Sequence, residues 1–368
     1  MKTIGIFTTG YGHESIAQAI ASKIESKSKH KYRIKIFTRK LTMDSAYNSL
    51  YRFTPSLLGP TFHLSSNIIK KDKNARKLLD NLLMLGSEDE IRSFVKKNKI
   101  DLCISTYFVC NPALERLQEE KNIPFINVAT DPRTISPLLI SDTAVANLVF
   151  DEQAFKHYKN KNLKQAGWFV GDRFEAEYDK SKIRKKLKIN DDLTILIASG
   201  SQGSNTVLKI LPSIINCQKK VNFIIACGNN EFLYNNTLGI KQSLKKLSSS
   251  QAKVIPLGYT KDLHLYMQAS DLVIGKAGPN TIFESVASET AFFAITHIHG
   301  QEDGNLEIIK NYKIGFVEEN TKKANQKLSA LIKNPQKIRA FTENIRKLKK
   351  YNQKSIEVLL ETITPFLD

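Results

Sequence analysis

The sequence predicts an α/β protein built as two doubly wound, Rossmann-like domains, and three observations predict it. Its 368 residues exceed the roughly 100 to 200 usual for one domain and suffice for an apolar core in each of two halves. Apolar runs alternate with helical stretches along the chain, the pattern of βαβ units and parallel sheets. Apolar residues make up 41% and charged residues 25%, proportions that belong to a globular chain and exclude disorder, and no low-complexity tract or fixed-period repeat is present.

In order along the first half, strands are expected at KTIGIFT, YRIKIFT, IDLCIST, IPFINVAT and VANLVF. The helix opened by GHESIAQAIASKI places Ile16, Ile20 and Ile24 on one face at i, i+4 spacing. Between Lys40 and Leu85 the alternation stops. Tyr47, Tyr51, Phe53 and Phe62 stand there beside Arg52, Lys70 and Lys71, interrupted by Pro55 and Pro60. Such a stretch is either a core-packing helical insert or an interfacial membrane contact. In the SEDE string that follows, Ser87 caps a helix and Glu90 closes the capping box. The second half repeats the alternation with LTILIAS, VNFIIAC, AKVIPLG, DLVIG and AFFAITH. Between the halves GWFVGDRF and the basic KSKIRKKL form a connector. The expected domains are therefore 1–165 and 166–340, with a C-terminal helix over 341–368 returning to the first.

Cys103, Cys110, Cys217 and Cys227 form no CxxC and no ligand cluster with histidine, so neither a disulfide framework nor a zinc site is expected. They read as reduced core thiols of a cytoplasmic protein. The amino terminus lacks the apolar region and cleavage site of a signal peptide. The longest apolar candidate, Ile135 to Phe150, is broken by Ser136, Pro137, Ser141, Asp142 and Asn147, so no spanning segment is expected. The net charge of +19 is clustered: eight cations fall between Lys23 and Lys40 against Glu25 alone, and eleven lie in 321–354 against Glu343 alone. Clusters of this kind bind nucleic-acid phosphates or anionic headgroups, or are plain solvated helix faces.

Three glycine-rich turns follow strands. In TTGYGHES, Gly10 and Gly12 allow a tight turn and His13 falls in the first turn of a helix, where the backbone dipole disfavours protonation. A neutral imidazole there is either a general base or a packed, capping histidine. In ASGSQGSN, Gly200, Ser201, Gln202 and Gly203 surround amides at a helix start, a place suited to a diphosphate, or simply make a tight βα turn. In the third, Ala277, Gly278, Pro279, Asn280 and Thr281 open a helix on which Glu284 lies one turn in, able to accept two hydrogen bonds from a ribose diol. The next strand delivers Gln301, Glu302, Asp303 and Asn305, amides and carboxylates suited to sugar hydroxyls or to a solvated helix start.

At these residues the sequence resembles the inverting, GT-B-type glycosyltransferases that include monogalactosyldiacylglycerol synthase, the bacterial diacylglycerol glucosyltransferases and, more distantly, the peptidoglycan enzyme that adds N-acetylglucosamine to lipid I. The pieces that carry it, in order, are GYGHESIAQAI, TDPRTISPLL, GWFVGDRF, SGSQGSN, LGYTKDLHLYM, KAGPNTIFES and HGQEDGN, spread over nearly the whole chain. The resemblance implies an active site in an interdomain cleft, an acceptor- and membrane-binding first domain and a UDP-sugar-binding second domain. It implies His13 as the catalytic or acceptor-side histidine and Asp131 of the TD motif near the acceptor, while the aromatic and basic stretch itself puts Tyr51 and Phe53, with Gly12 of the first turn, on the acceptor and membrane side. It implies the backbone at Gly258 and Tyr259 for uracil, Glu284 for the ribose, and Gln301, Glu302 and Asn305 for the hexose. The partners it implies are a UDP-hexose, galactose or glucose, and diacylglycerol, and the basic clusters, the aromatic insert and the lack of a spanning segment together predict peripheral attachment to an anionic membrane surface on the cytoplasmic face. Two positions depart from the family's pattern. Ser136 stands where a histidine is frequent, and Asn280 where glycine is frequent.

The chemistry implied is one displacement at the anomeric carbon, with His13 or Asp131 taking the acceptor proton as UDP leaves. No Asp-x-Asp string is present to hold a divalent ion on a diphosphate, so neither metal nor cofactor is expected. Other readings are a transferase using UDP-N-acetylglucosamine on a polyprenyl-linked acceptor, a UDP-N-acetylglucosamine 2-epimerase, which is not expected to carry HGQEDGN, and a basic nucleic-acid binder. No RNP-like aromatic pair, KH loop or zinc module accompanies the basic clusters, so no nucleic acid is expected as partner.

Overall fold

The computed structural model describes residues 1–10, 12–39, 88–158, 161–198, 206–246 and 250–368. The chain forms two compact units. Met1–Asp172, Ile298–Gly304 and Tyr351–Asp368 make the first, and Arg173–His297 with Asn305–Lys350 make the second.

The first unit holds a six-stranded, all-parallel sheet. Its strands are β1 (Thr3–Thr9), β2 (Arg33–Arg39), β3 (Leu102–Ser105), β4 (Phe125–Val128), β5 (Ala146–Val149) and β6 (Leu163–Gln165), in the order β2-β1-β3-β4-β5-β6. Every residue of β1 is buried, as a central strand covered on both faces requires. The helix Gly12–Lys27 buries Ile16, Ile20 and Ile24, the face its spacing predicts. Below it Phe7, Ile91, Cys103, Leu114 and Phe125 close one part of the core. The helix Ser355–Leu367 packs on Gly12–Lys27 and on β3 through a buried row that includes Ile356, Leu359 and Ile363. Just ahead of it Asn352 accepts a hydrogen bond from the Trp168 amide through Oδ1 at 3.1 Å. Gly167 lets the two segments meet, since it sits at φ +76° with the Asn352 backbone 3.2 Å from where a Cβ would stand.

The second unit holds another six-stranded parallel sheet, β7 (Leu193–Ala198), β8 (Val221–Gly228), β9 (Ala252–Gly258), β10 (Leu272–Lys276), β11 (Ala291–Thr296) and β12 (Gly315–Val317). The order is β12-β11-β10-β7-β8-β9. The chain moves outward from β7 to β9 and then returns to lay β10 against the other side of β7, with Gly275 beside Ala198. The basic helix Lys180–Lys186 belongs to this unit, where Lys180 and Arg184 both reach Asp271. The single helix expected over 341–368 is two, Thr342–Gln353 and Ser355–Leu367. Among the described residues no helix is long and apolar enough to cross a membrane.

Candidate functional site

Open α/β sheets place ligands where the strand order reverses, outside the carboxyl ends of the strands. In the first unit that point lies between β1 and β3, and His13 stands there. Its Nδ1 is 2.9 Å from the Thr106 carbonyl oxygen at the end of β3. A carbonyl only accepts, so Nδ1 carries the proton and Nε2 is left as a lone pair. Thr106 is itself fixed, its Oγ1 2.8 Å from Thr8 Oγ1 and its amide 2.9 Å from the Phe7 carbonyl. The ring of Tyr107 lies 4.9 Å from the imidazole. Desolvation by this packing lowers the His13 pKa to about 4, against a smaller upward pull from the bond to Thr106. The neutral imidazole expected from the helix dipole is thus neutral chiefly because it is desolvated. Gly12 opens the helix and is exposed, and a Cβ added at Gly10 would meet no described residue within 4 Å.

Asp131 is buried in the same unit, and Gln301 donates to it, Nε2 to Oδ1, at 3.3 Å. The stretch carrying Gln301 is held by the TDPRT segment: the Gly304 amide donates to Thr134 Oγ1 at 2.8 Å. A Cβ at Gly304 would come within 2.4 Å of the Arg133 Cβ, so this approach requires glycine. Arg133 is anchored in turn by Nε and Nη2 bonds of 2.9 and 2.6 Å to Asp151 Oδ2, with both side chains buried. Glu302 is buried and accepts the Ile298 amide at 2.7 Å, and Asp303 accepts the Gly300 amide at 2.9 Å, bonds that shape their own loop. Ser136 caps the short turn Pro137–Leu139 through its hydroxyl.

In the second unit the strand order reverses between β7 and β10. A Cβ at Gly275 would stand 3.0 Å from the Ala198 carbonyl, so glycine lets these two strands close up here. Beyond β10 the helix Pro279–Ala287 begins at Gly278, which has no side chain to cap it, with proline in its first turn. Asn280 and Thr281 follow in that first turn, and Ala277 is fully buried behind it. Glu284 lies one turn along, half-buried, with no side-chain hydrogen bond to another described residue. Burial alone pushes its carboxyl up to about 8. Asn305 is buried, donates from Nδ2 to the Ala277 carbonyl at 2.8 Å, and has no partner for Oδ1 among the described residues. Gly258 ends β9, and the Tyr259 side chain after it is 67% exposed at the carboxyl end of the sheet. Gly200, Ser201, Gln202 and Gly203, like Tyr51 and Phe53, lie outside the described residues.

The structure therefore gathers His13 with Thr106 and Asp131 with Gln301 on the first unit. It sets Gly278, Glu284 and Asn305 along one helix start and its neighbour on the second. Thr106 and Asp151 are not marked by the sequence reading, Arg133 and Thr134 enter it only as part of TDPRTISPLL, and the signal for Thr106 is its place at the carboxyl end of the IDLCIST strand.

Residues 13–170 match the family described as monogalactosyldiacylglycerol (MGDG) synthase, and residues 194–360 match the glycosyltransferase family 28 C-terminal domain. Each of the two family matches covers a little under half of the chain. The chain is similar to the processive diacylglycerol beta-glucosyltransferase of Staphylococcus saprophyticus, 26% identical over 70% of the chain and 66% of the relative. The enzyme of the same name from Bacillus licheniformis is 24% identical over 98% of the chain and 94% of its own length. Probable monogalactosyldiacylglycerol synthase 2 of Oryza sativa subsp. indica is 22% identical over 64% of the chain and 50% of its own. The match thus spans just under two thirds of the Staphylococcus enzyme and nearly all of the Bacillus one. Among solved structures, Acinetobacter baumannii MurG aligns with a TM-score of 0.62 at 14% identity, over 98% of this chain and all of that one. The Neisseria meningitidis UDP-GlcNAc 2-epimerase aligns equally well, with a TM-score of 0.62 at 14% identity over 99% and 100%. These likenesses show the GT-B fold and do not by themselves choose between transfer and epimerisation.

Proposed function

We propose that this protein transfers a hexose from a UDP-sugar to diacylglycerol in a single inverting displacement, without a divalent ion or cofactor. The acceptor hydroxyl oxygen attacks the anomeric carbon, the bond from that carbon to the UDP oxygen breaks, and the hydroxyl proton passes to His13 Nε2. The low pKa of His13 keeps this lone pair available at neutral pH. The hydroxyl becomes strongly acidic as its oxygen bonds to carbon, and that supplies the drive for proton transfer. Asp131 stands as the second acceptor-side group. The leaving diphosphate falls to the uncapped start of the helix at Pro279 and, on sequence alone, to Gly200, Ser201, Gln202 and Gly203. Gly258 and Tyr259 take the uracil and Gln301 the hexose, while Glu302 and Asn305 shape the surfaces next to them. Diacylglycerol as acceptor is supported by the names of the sequence relatives, and both glucose and galactose are represented among those names.

The observation that carries the donor half is Glu284: a half-buried carboxyl, without a side-chain bond to another described residue, one turn into an uncapped helix at the strand-order reversal. A ribose diol is the ligand that such an acceptor fits. Calorimetric titration with UDP tests it. Glu284→Ala should lose about 1 to 3 kcal/mol of UDP binding, the range for charge-assisted hydrogen bonds, whereas His13→Ala should bind UDP as the wild type does. Unchanged affinity in Glu284→Ala would remove the donor assignment, and equal losses in both variants would remove His13 from the acceptor side.

A further inference from the structure

A cavity of about 770 Å³ opens on the second unit at the end of the sheet where the strands begin, beside Leu193 of β7, Asp271 just before β10, and Ala291 of β11. The candidate donor residues stand at the other end of these parallel strands. Five or six residues at about 3.3 Å each put roughly 15 to 20 Å between the two places. The volume is that of a small-molecule site.

Its charge is unbalanced inward. Five cations line it: Lys180, Arg184, Arg339, Arg346 and Lys349. Asp271 is already consumed by Lys180 Nζ at 2.7 Å, Arg184 Nη2 at 2.8 Å and the Thr194 amide at 2.9 Å. Glu289 is consumed by Arg346 Nε at 2.8 Å and Lys349 Nζ at 3.1 Å. The two other acids, Glu177 and Asp191, are exposed at the rim, Asp191 with 94% of its side chain in solvent and 4.0 Å from Arg184. Arg339 has no side-chain partner among the described residues. Four of the five cations thus share two carboxylates, and Arg339 is left over. Burial, with the added fields of Arg184 and Arg339, holds Lys180 below the ordinary lysine range even though Asp271 pulls it up. Between the cations, Ile338 and Ile345 give the wall an apolar strip.

We propose that this cavity is a second ligand site, which takes an organic phosphate anion with its charged oxygens on the Arg339 and Arg184 guanidinium groups and its organic part along Ile338 and Ile345. Arginine suits this task because its planar fork presents paired donors to phosphate oxygens. A solvated cation cluster without a ligand would not need a concave site of this size, and a structural ion-pair network would not leave Arg339 outside it. The site stands independently of the transfer reading and does not overlap the donor residues.

The test uses the full chain, saturated with UDP, at low salt. sn-Glycerol 3-phosphate is titrated in by calorimetry, and in parallel the chain is co-sedimented with phosphatidylglycerol or phosphatidylcholine vesicles. At least one probe should bind saturably, and Arg339→Gln, which removes an exposed side chain with no protein partner, should weaken that binding about tenfold or more while UDP affinity stays unchanged. Binding of glycerol phosphate identifies a free organic phosphate as the ligand. Binding of phosphatidylglycerol vesicles alone, lost in Arg339→Gln, identifies a lipid headgroup. A wild type that binds neither probe, an Arg339→Gln variant that binds as well as wild type, or displacement of the bound phosphate by UDP would overturn the proposal.

Discussion

His13 and Glu284 are opposite products of one cause, because withdrawal from water disfavours the charged form and so lowers an imidazole pKa and raises a carboxyl pKa. His13 stays neutral down to about pH 4, with its proton fixed on Nδ1 by Thr106. Glu284 in the ligand-free chain stays protonated up to about pH 8. If a ribose diol donates to the carboxylate, binding must first remove that proton, and UDP affinity should rise with pH until about 8 and then level. Titrations at about pH 6.5, 7.5 and 8.5 check this. Affinity in Glu284→Gln, which has no proton to lose, should be flat over the same range, and a wild type equally flat would contradict the assignment. The stability term has the opposite sign. Between the ordinary glutamate range and pH 8 the folded chain holds a proton that the unfolded chain has lost, so this group favours folding less as pH rises. Of these features the residues themselves were legible, since a glycine turn before a helix marks His13 and KAGPNTIFES marks Glu284. Thr106 was not, because it is ninety-three positions from His13 and meets it only when β3 pairs with β1.

At the scale of elements, the alternation of apolar runs located β1, β3, β7 and β10, and these four strands create both strand-order reversals. Edge strands β6 and β12 were not legible: each is three residues long, too short for a periodic signal, and is defined by the neighbour it pairs with. Nor was the association of Ile298–Gly304 with the TDPRT segment, which rests on a glycine contact and a hydroxyl bond across 170 positions. The Arg133–Asp151 pair behind that segment is buried on both sides. Arg133→Ala leaves a buried carboxylate without its cation, and should cost about 3 to 5 kcal/mol of stability, read as a fall in the urea midpoint. The charge-free double variant Arg133→Met, Asp151→Leu should recover much of that loss. A single variant as stable as wild type would show that the pair does not anchor the segment.

For the whole molecule, the chain has +19 net charge, two parallel sheets and no described helix that spans a membrane, while its relatives bear the names of enzymes acting on a membrane lipid. We propose that the basic clusters hold it on an anionic bilayer, each cation near the surface contributing roughly 1 kcal/mol. Work at such a surface should weaken as salt screens it. The measurement that tests the account most directly is transfer of labelled hexose, from UDP-glucose and from UDP-galactose separately, to diacylglycerol in phosphatidylglycerol vesicles, with EDTA present and the lipids resolved by thin-layer chromatography. The wild type should yield a labelled glycolipid from at least one donor, with the yield falling as salt rises, and His13→Ala should yield none while still binding UDP. Absence of any labelled lipid from either donor, in EDTA and again with magnesium restored, would contradict the account.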